Sequence, residues 1–502
     1  MCVCVCVCRM KKTLSIFRHN AKLVMKLGAG FFADAYDLFV IDLVLSILQE
    51  DSNENSYGMG FNTGSKALIA SATSIGAVVG MILFGLVGDY LGRRTGVLIT
   101  GTLVAVGSIL SACCVRSEQV SLMTQLAIYR TLLGVGIGGE YPLSATMASE
   151  GADAKVRGRV VAGVFSMQGV GMLFSSLLGY ILIKSGASLE FTWRFLLAFG
   201  AVPALVALYF RLQMKESVTN AAQSDAKTRN IATLSSGSSK WRQSLAIMNE
   251  YKIPLMATTM AWFLLDVTFY GTGEFKHSVS NELFPENAAL TAQDKVASDA
   301  LFGLIISAIA LPGYICACIF IDRIGRWNLQ VGGFVAMTLA YVLTGVAIYF
   351  GAPASVNLLV FGLTFFFTNF GPNTTTFIIP SEIYPSSVRA TCHGVSAAAG
   401  KIGAIVGAAG FPACIDALGL DGVMYVCAGI ALAGLIVTLG LLDKKLVDEA
   451  SLRPREIKTC TSMSDVMSGE SEATIDSCGG GELSPPVREA SYATSEGPAH
   501  VV

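Results

Sequence analysis

Gly88-Asp89-Tyr90-Leu91-Gly92-Arg93 returns 233 residues later as Ile321-Asp322-Arg323-Ile324-Gly325-Arg326. The same step, 232 or 233 residues, carries Asp34 to Asp266 and Ser149-Glu150 to Ser381-Glu382. It also carries Arg157 to Arg389 and Gln168 to Lys401. A long internal period of this kind means two copies of one unit joined head to tail. Apolar runs of about twenty residues surround the repeated polar positions, each long enough to cross a bilayer. Parallel repeats related by an axis along the membrane normal imply a transporter whose site lies between its halves.

Composition supports that reading. Of 502 residues, 53% are apolar and 14% charged, too oily for soluble domains of this length. The formal net charge of −1 implies neither nucleic acid nor an acidic partner. The expected fold class is an all-α membrane protein with twelve transmembrane helices in two pseudo-symmetric six-helix bundles. Approximate first-half spans are 23–49, 66–88, 95–115, 121–148, 160–184 and 192–212. Those of the second half are 253–275, 299–322, 328–350, 355–381, 391–418 and 422–443. Gly and Ala at small-xxx-small spacing suit close helix packing in lipid.

Basic residues in short loops set the orientation. Arg93 and Arg94, Lys155, Arg157 and Arg159, Arg323 and Arg326, and Arg389 fall on one side, which reads as cytoplasmic. The opposite loops, such as Gly351-Ala352-Pro353, carry almost no Lys or Arg. The domain layout is a cytoplasmic segment 1–20, a bundle 21–212, a cytoplasmic linker 213–252, a second bundle 253–445 and a disordered cytoplasmic tail 446–502. Ser462, Ser464 and Ser471 in the tail are candidate phosphorylation sites, making kinases or regulators its expected partners. The alternating Cys2, Cys4, Cys6, Cys8 tract admits two readings, a palmitoylated segment or translated repeat sequence ahead of a start at Met10. The other cysteines show neither metal-type spacing nor a pair in an outside loop, so neither a metal site nor a disulfide is expected.

In each Asp-x-x-Gly-Arg loop, Gly permits the sharp turn while Asp and Arg pair with each other or with helix ends. Glu150 with Arg157, and Glu382 with Arg389, are the expected partners beside them. With Asp89, Arg93, Arg94, Asp322 and Arg326 they form a candidate cytoplasmic gate. The plain alternative, Arg retained for topology alone, accounts poorly for a constellation that occurs twice.

Together these features resemble the major facilitator superfamily, over about residues 20–445. Gly138-Gly139-Glu140-Tyr141-Pro142-Leu143-Ser144-Ala145-Thr146 narrows the resemblance to the phosphate:proton symporter family of plants and fungi. So do Phe31-Phe32-Ala33-Asp34-Ala35-Tyr36-Asp37-Leu38-Phe39, Asn369-Phe370-Gly371-Pro372-Asn373 and Thr391-Cys392-His393-Gly394.

A charged side chain at the bilayer centre costs about 2.5–3.5 kcal/mol even on a lenient scale. Asp34, Asp37, Arg130, Glu140, Asp266 and Lys401 must therefore face an internal cavity and compensate one another. Asp34 and Asp37 share a face at i, i+3. Arg130 and Glu140, nearly three turns apart, point to a common side of span 4. The resemblance implies that Asp34, Asp37 and Glu140 with Arg130 form the proton-coupling group. The bland reading of any one of them is a static buried ion pair.

Trp262, Asp266 and Tyr270 follow an i, i+4, i+8 ladder along one stripe of span 7. They offer an indole N–H, a carboxylate that can accept from a protonated phosphate oxygen, and a phenol O–H. Tyr141, Gln168 and Asn373 add neutral donors and Lys401 a cation. Such a set favours a monoanion retaining hydroxyls, and Asp266 discriminates against sulfate, which has no proton to give. The resemblance implies that these positions contact the substrate. The bland reading of Trp262 and Tyr270 is an interfacial aromatic belt.

Gly134-Val135-Gly136-Ile137-Gly138-Gly139 imitates a dinucleotide loop, yet no strand precedes it, and a close-packed helix face is expected. His393 and His277 lack metal partners, and no cofactor is implied. The family pattern usually has Asp where this chain has Glu140, which leaves the cargo open. The expected function is proton-coupled import of inorganic phosphate by alternating access, with phosphate and protons as cargo and the bilayer as partner, most naturally at the plasma membrane. The alternatives are a carrier of glycerophosphodiesters or other organic anions, and a phosphate transceptor signalling through its tail. An enzyme is not expected, because no nucleophile–base pair lies in the loops.

Overall fold

A computed structural model describes residues 2–55, 63–90, 92–115, 120–213, 237–273, 276–284 and 290–453. Most of the expected linker, the tail beyond residue 453 with its candidate phosphorylation sites, and the side chain of His277 lie outside the described residues. The first half contributes α1 (Cys2–Asn55), α2 (Thr63–Tyr90), α3 (Arg93–Ala112), α4 (Leu122–Gly151), α5 (Arg157–Lys184), α6 (Leu189–Phe199) and α7 (Ala201–Leu212). The second half continues with α8 (Gly237–Glu250), α9 (Lys252–Gly273), α10 (Lys276–Leu283), α11 (Ala292–Ile324) and α12 (Arg326–Tyr349). It ends with α13 (Ala354–Phe370), α14 (Pro372–Ile383), α15 (Arg389–Leu441) and α16 (Lys444–Leu452).

Among the described residues, nine helical stretches are long and apolar enough to cross a membrane. α1 and α4, which carry Asp34, Asp37, Arg130 and Glu140, are long helices outside that set. Arg389–Leu441 breaks at Gly419, where φ is 72° and where two of the twelve expected spans meet. Ser121 and Ser188 cap α4 and α6 by accepting from the backbone N–H three residues on.

Burial is inverted relative to a water-soluble protein. Leu339, Leu343 and Ile436 are 57%, 59% and 61% exposed, whereas Asp34, Glu140 and Asp266 are each 1% exposed. Apolar side chains facing outward and ionisable ones facing inward suit a hydrocarbon surround.

Glycine sets how closely the helices approach. A Cβ on Gly134 or Gly138 of α4 would run into the carbonyls of Thr73 and Ala77 on α2, and one on Gly403 or Gly407 of α15 into those of Phe263 and Val267 on α9. The glycine run in α4 is thus a packing face. Gly92 (φ 103°) and Gly325 (φ 87°) each end an Asp-x-x-Gly-Arg turn in the left-handed region, where other side chains are strained. Sequence halves meet along two main seams, α2 with α15 and α5 with α11.

Candidate functional site

Two prolines lie beside the site residues. Pro142 lies inside α4 directly after Glu140 and Tyr141, and Gly371-Pro372 separates α13 from α14 just ahead of Asn373. Proline removes a helical hydrogen bond and its ring displaces the preceding turn. α4 runs on through Pro142, whereas the chain breaks at Gly371.

The second-half part of the site is built on α9 and α15. The Lys401 ammonium lies 3.4 Å from Asp266 Oδ2 and donates to the Tyr270 hydroxyl. It also sits 3.7 Å above the Tyr270 ring centroid and 5.4 Å from that of Tyr141. Trp262 packs across Tyr141 at 6.4 Å and edge-on to His393 at 5.5 Å. A Cβ on Gly400 would strike the Trp262 indole, so that position holds the ring against α15. Trp262 and Tyr270 are each 2% exposed, which rules out an interfacial belt. His393 Nε2 lies 3.1 Å from the Phe377 carbonyl oxygen, so this histidine lines the aromatic floor.

Residues of both halves complete the site. Tyr141 donates to Gln168 Oε1 at 3.4 Å, and Asn373 Nδ2 donates to the Tyr314 hydroxyl at 3.1 Å and to Asn369 Oδ1 at 2.7 Å. Phe31, Phe165 and Phe377 close around Tyr141 at centroid distances of 4.6–6.0 Å among themselves and to it. Asp34 and Asp266, from opposite halves, both act electrostatically on Tyr141. Tyr141, Gln168, Trp262, Asp266, Tyr270, Asn373 and Lys401 are thus brought together, all buried. Tyr314 joins them without any sequence signal beyond being one aromatic in an apolar run. No group of three or more metal-binding side chains occurs among the described residues.

The proposed proton-coupling set divides in two. Arg130 donates to the Asp37 backbone carbonyl at 2.6 Å, while Ser108 donates to Asp37 Oδ2 at 2.8 Å. Glu140 is paired not with Arg130 but with Arg211 of α7, with an Nη1–Oε2 distance of 3.1 Å. Ten residues place Arg130 and Glu140 on one side of α4 yet about 15 Å apart along its axis. Each therefore meets the complement at its own depth. Arg211 could have been found as an ionisable residue near the end of the apolar run 192–212.

At the end carrying the Asp-x-x-Gly-Arg loops, contacts join the halves. Asp89 accepts from the backbone N–H groups of Ala390 and Thr391 at 3.3 and 2.8 Å, occupying the positive end of α15. Arg389 pairs with Glu150 at 3.0 Å, and Arg93 pairs with Glu150 and, at 3.7 Å, with Asp89. Arg326 grips Glu382 through two 2.9 Å bonds and Asp322 at 3.0 Å. Arg94 donates to the Leu212 carbonyl at 3.2 Å.

The expected pairs Glu150–Arg157 and Glu382–Arg389 are corrected. Arg157 instead donates to the carbonyls of Ala450 and Arg453 at 3.4 and 2.9 Å. Those carbonyls form the negative end of α16, which draws the guanidinium away and leaves Glu150 to Arg389.

The opposite end is also joined, by residues the motifs did not mark. Ser46 donates to Asp299 at 2.6 Å, Lys295 reaches Glu50 at 3.5 Å, and Lys276 lies 3.9 Å from Asp42. The buried centre is therefore bracketed by contacts between halves at both ends.

The sequence matches a family described as sugar (and other) transporter over residues 22–442. It is 34% identical to "Probable inorganic phosphate transporter 1-6" of Arabidopsis thaliana, covering 88% of this chain and 95% of that one. It is also 34% identical to "Inorganic phosphate transporter 1-1" of Oryza sativa subsp. japonica, over 83% and 90%. In structure it resembles the MFS (major facilitator superfamily) proton:xylose symporter XylE bound to 6-bromo-6-deoxy-D-glucose, with TM-score 0.67, 19% identity and coverage of 87% and 100%. XylE from E. coli in a partially occluded inward open conformation gives TM-score 0.67 at 19% identity over 85% and 98%. At that identity the likeness speaks for the fold alone.

Proposed function

The chain belongs to the sugar (and other) transporter family, a multi-pass membrane transporter of the major facilitator fold, and from that premise we propose that it imports inorganic phosphate together with protons. The observation that carries this reading is the buried meeting of Lys401, Asp266 and Tyr270 with Tyr141, Gln168 and Asn373, in a chain similar to plant phosphate transporters.

Lys401 is held by Asp266 and Tyr270. An arriving phosphate monoanion offers oxyanion atoms to the ammonium and a P–OH to the Asp266 carboxylate, exchanging one charge-assisted set for another. Sulfate cannot make the second bond. Phe31, Phe377 and Trp262 pack on Tyr141, with Phe165 against Phe31 and Phe377, and this ring of aromatic side chains is the ground for preferring a small oxyanion to a glycerophosphodiester. Asp34, Asp37 and Glu140 carry the protons, balancing the anion's charge against the membrane potential.

The two six-helix halves, 21–212 and 253–445, rock about this centre. Opening toward the cytoplasm breaks the Asp89–α15 and Glu150–Arg389 contacts, and opening outward breaks the Ser46–Asp299 and Glu50–Lys295 contacts. The plasma membrane, with both termini cytoplasmic, suits this direction of transport. Reconstituted uptake of labelled phosphate, with sulfate and glycerophosphoinositol as competitors, tests the cargo. Phosphate alone should compete strongly. Equal competition by glycerophosphoinositol moves the assignment to organic phosphates, and signalling that vanishes on truncation after residue 446 without any uptake supports the transceptor.

A further inference from the structure

Arg211 is a fully buried cation near the end of α7. Its guanidinium pairs with Glu140 of α4 and donates to the Val97 carbonyl of α3 at 3.2 Å. The surrounding backbone is cut to fit it. A Cβ on Gly30 of α1 would overlap both Arg211 and Glu140, and one on Gly101 of α3 would lie 2.9 Å from Arg211 Nη1. One helical turn beyond Gly30, on the same face of α1, lies Asp34. Neither carboxyl oxygen of Asp34 has a hydrogen-bond partner among the described residues, and Arg211 is the cation that acts on it most strongly.

Several other charged or titratable groups on the helices packed against α7 have partners of their own. Asp37 is held by Ser108 and Arg130, and the Tyr36 hydroxyl donates to the Leu196 carbonyl at 2.8 Å. Arg93 is committed to Glu150 and Asp89, Arg94 to the Leu212 carbonyl, and Arg194 of α6 to carbonyls of Ala112 and Cys114. One guanidinium thus stands between two buried carboxyls.

We propose that Arg211 is the counter-charge shared by Glu140 and Asp34, and that its position decides which of the two holds a proton. Two buried carboxylates with one cation leave a net charge whose burial is costly, so the trio retains one proton and is neutral. In the geometry seen here the cation sits on Glu140 and the proton on Asp34. A swing of the guanidinium by about one turn of α1 stabilises an ionised Asp34, and its proton passes to Glu140. No charge is created, and one proton moves from α1 to α4 across the chamber wall. This role rests on the proton-coupled reading above and deepens it: Arg211 positions the proton and does not touch the anion.

Infrared difference spectroscopy of the full-length protein in lipid vesicles tests it without needing cargo. Wild type should show a protonated carboxyl band that disappears in Asp34→Asn. In Arg211→Lys its titration midpoint should shift, and in Arg211→Gln/Glu140→Gln, a neutral pair that avoids stranding a charge, it should persist to higher pH. Phosphate uptake in the same vesicles should fall at least about tenfold in Arg211→Gln. In the double variant, phosphate exchange should persist while its pH dependence flattens. An unchanged band midpoint in Arg211→Lys, or a wild-type pH profile in the double variant, overturns the proposal. Absence of phosphate transport in wild type would instead refute the cargo and leave the infrared result to stand by itself.

Discussion

The two copies of the repeat share one sequence pattern and differ in their contacts at the end bearing the Asp-x-x-Gly-Arg loops and at the centre. In the first copy Glu150 reaches across the seam to Arg389, and Asp89 takes the positive end of α15. In the second, Glu382 remains with Arg326 inside its own half, while Asp322 repeats the Asp89 contact by accepting from the Arg159 backbone N–H in the first turn of α5 at 3.1 Å. At the centre, the first copy carries paired or partnerless carboxyls with Arg130 and Arg211, whereas the second carries one carboxylate bound by a lysine among phenol and indole donors. The difference teaches that the helix-end contacts of Asp89 and Asp322 were kept in both copies while the partners of Glu150 and of the central carboxyls diverged.

The largest expected effect breaks the second-copy site. Asp266→Asn removes the partner of a fully buried ammonium, worth about 3–5 kcal/mol. Labelled phosphate uptake per surface protein should drop by more than about a hundredfold. Uptake at the wild-type level would remove Asp266 from the site. Next, Glu140→Gln frees Arg211 from its first-copy partner. On the proposed proton coupling, wild-type uptake should rise as pH falls and the variant should respond to pH weakly; an unaltered profile in uptake assays would assign the coupling to other groups.

Tyr314→Phe sharpens the comparison at the seam. The hydroxyl accepts from Asn373, and losing a buried hydrogen bond costs about 1–3 kcal/mol. The apparent KM for phosphate should rise by about fivefold to a hundredfold with kcat little changed, and an unchanged KM would make Tyr314 mere packing. The smallest effect separates the two gates. Arg389→Ala should raise labelling of a cysteine placed in the chamber from the side bearing the Asp-x-x-Gly-Arg loops, whereas Arg326→Ala should lower thermal stability with little change in labelling. Equal labelling in the two variants would erase the asymmetry.

Much of the fold was legible because repeats and apolar runs are long, averaged signals. The major facilitator fold followed from positions such as Asp89 and Asp322, and the positive φ of Gly92 and Gly325 is the physical content of that match. The ladder Trp262-Asp266-Tyr270 was legible because three residues at four-residue spacing must share a stripe. Pairings were less legible. Helical arithmetic gave Arg130 and Glu140 a common side but could not show that about 15 Å of axis separates them. Glu150 lies seven residues from Arg157 in the sequence yet pairs across the seam with Arg389, and the carbonyl end of α16 that holds Arg157 carries no sequence mark. Arg211 is an ionisable group near the end of an apolar run, a place where a basic residue more often marks the membrane boundary than a buried ion pair. Asp42, Ser46, Glu50, Lys276, Lys295 and Asp299 join the halves at the opposite end with no motif at all, because each bond depends on how α1 meets α10 and α11.

Coupling between the halves is tested most directly by measuring proton and phosphate flux together in vesicles containing purified protein. An imposed phosphate gradient should drive protons inward in wild type, and Asp266→Asn should abolish both fluxes at once. Proton movement that survives in that variant, or phosphate movement driven by sodium and indifferent to pH, would contradict a single chamber in which the two halves share one cycle.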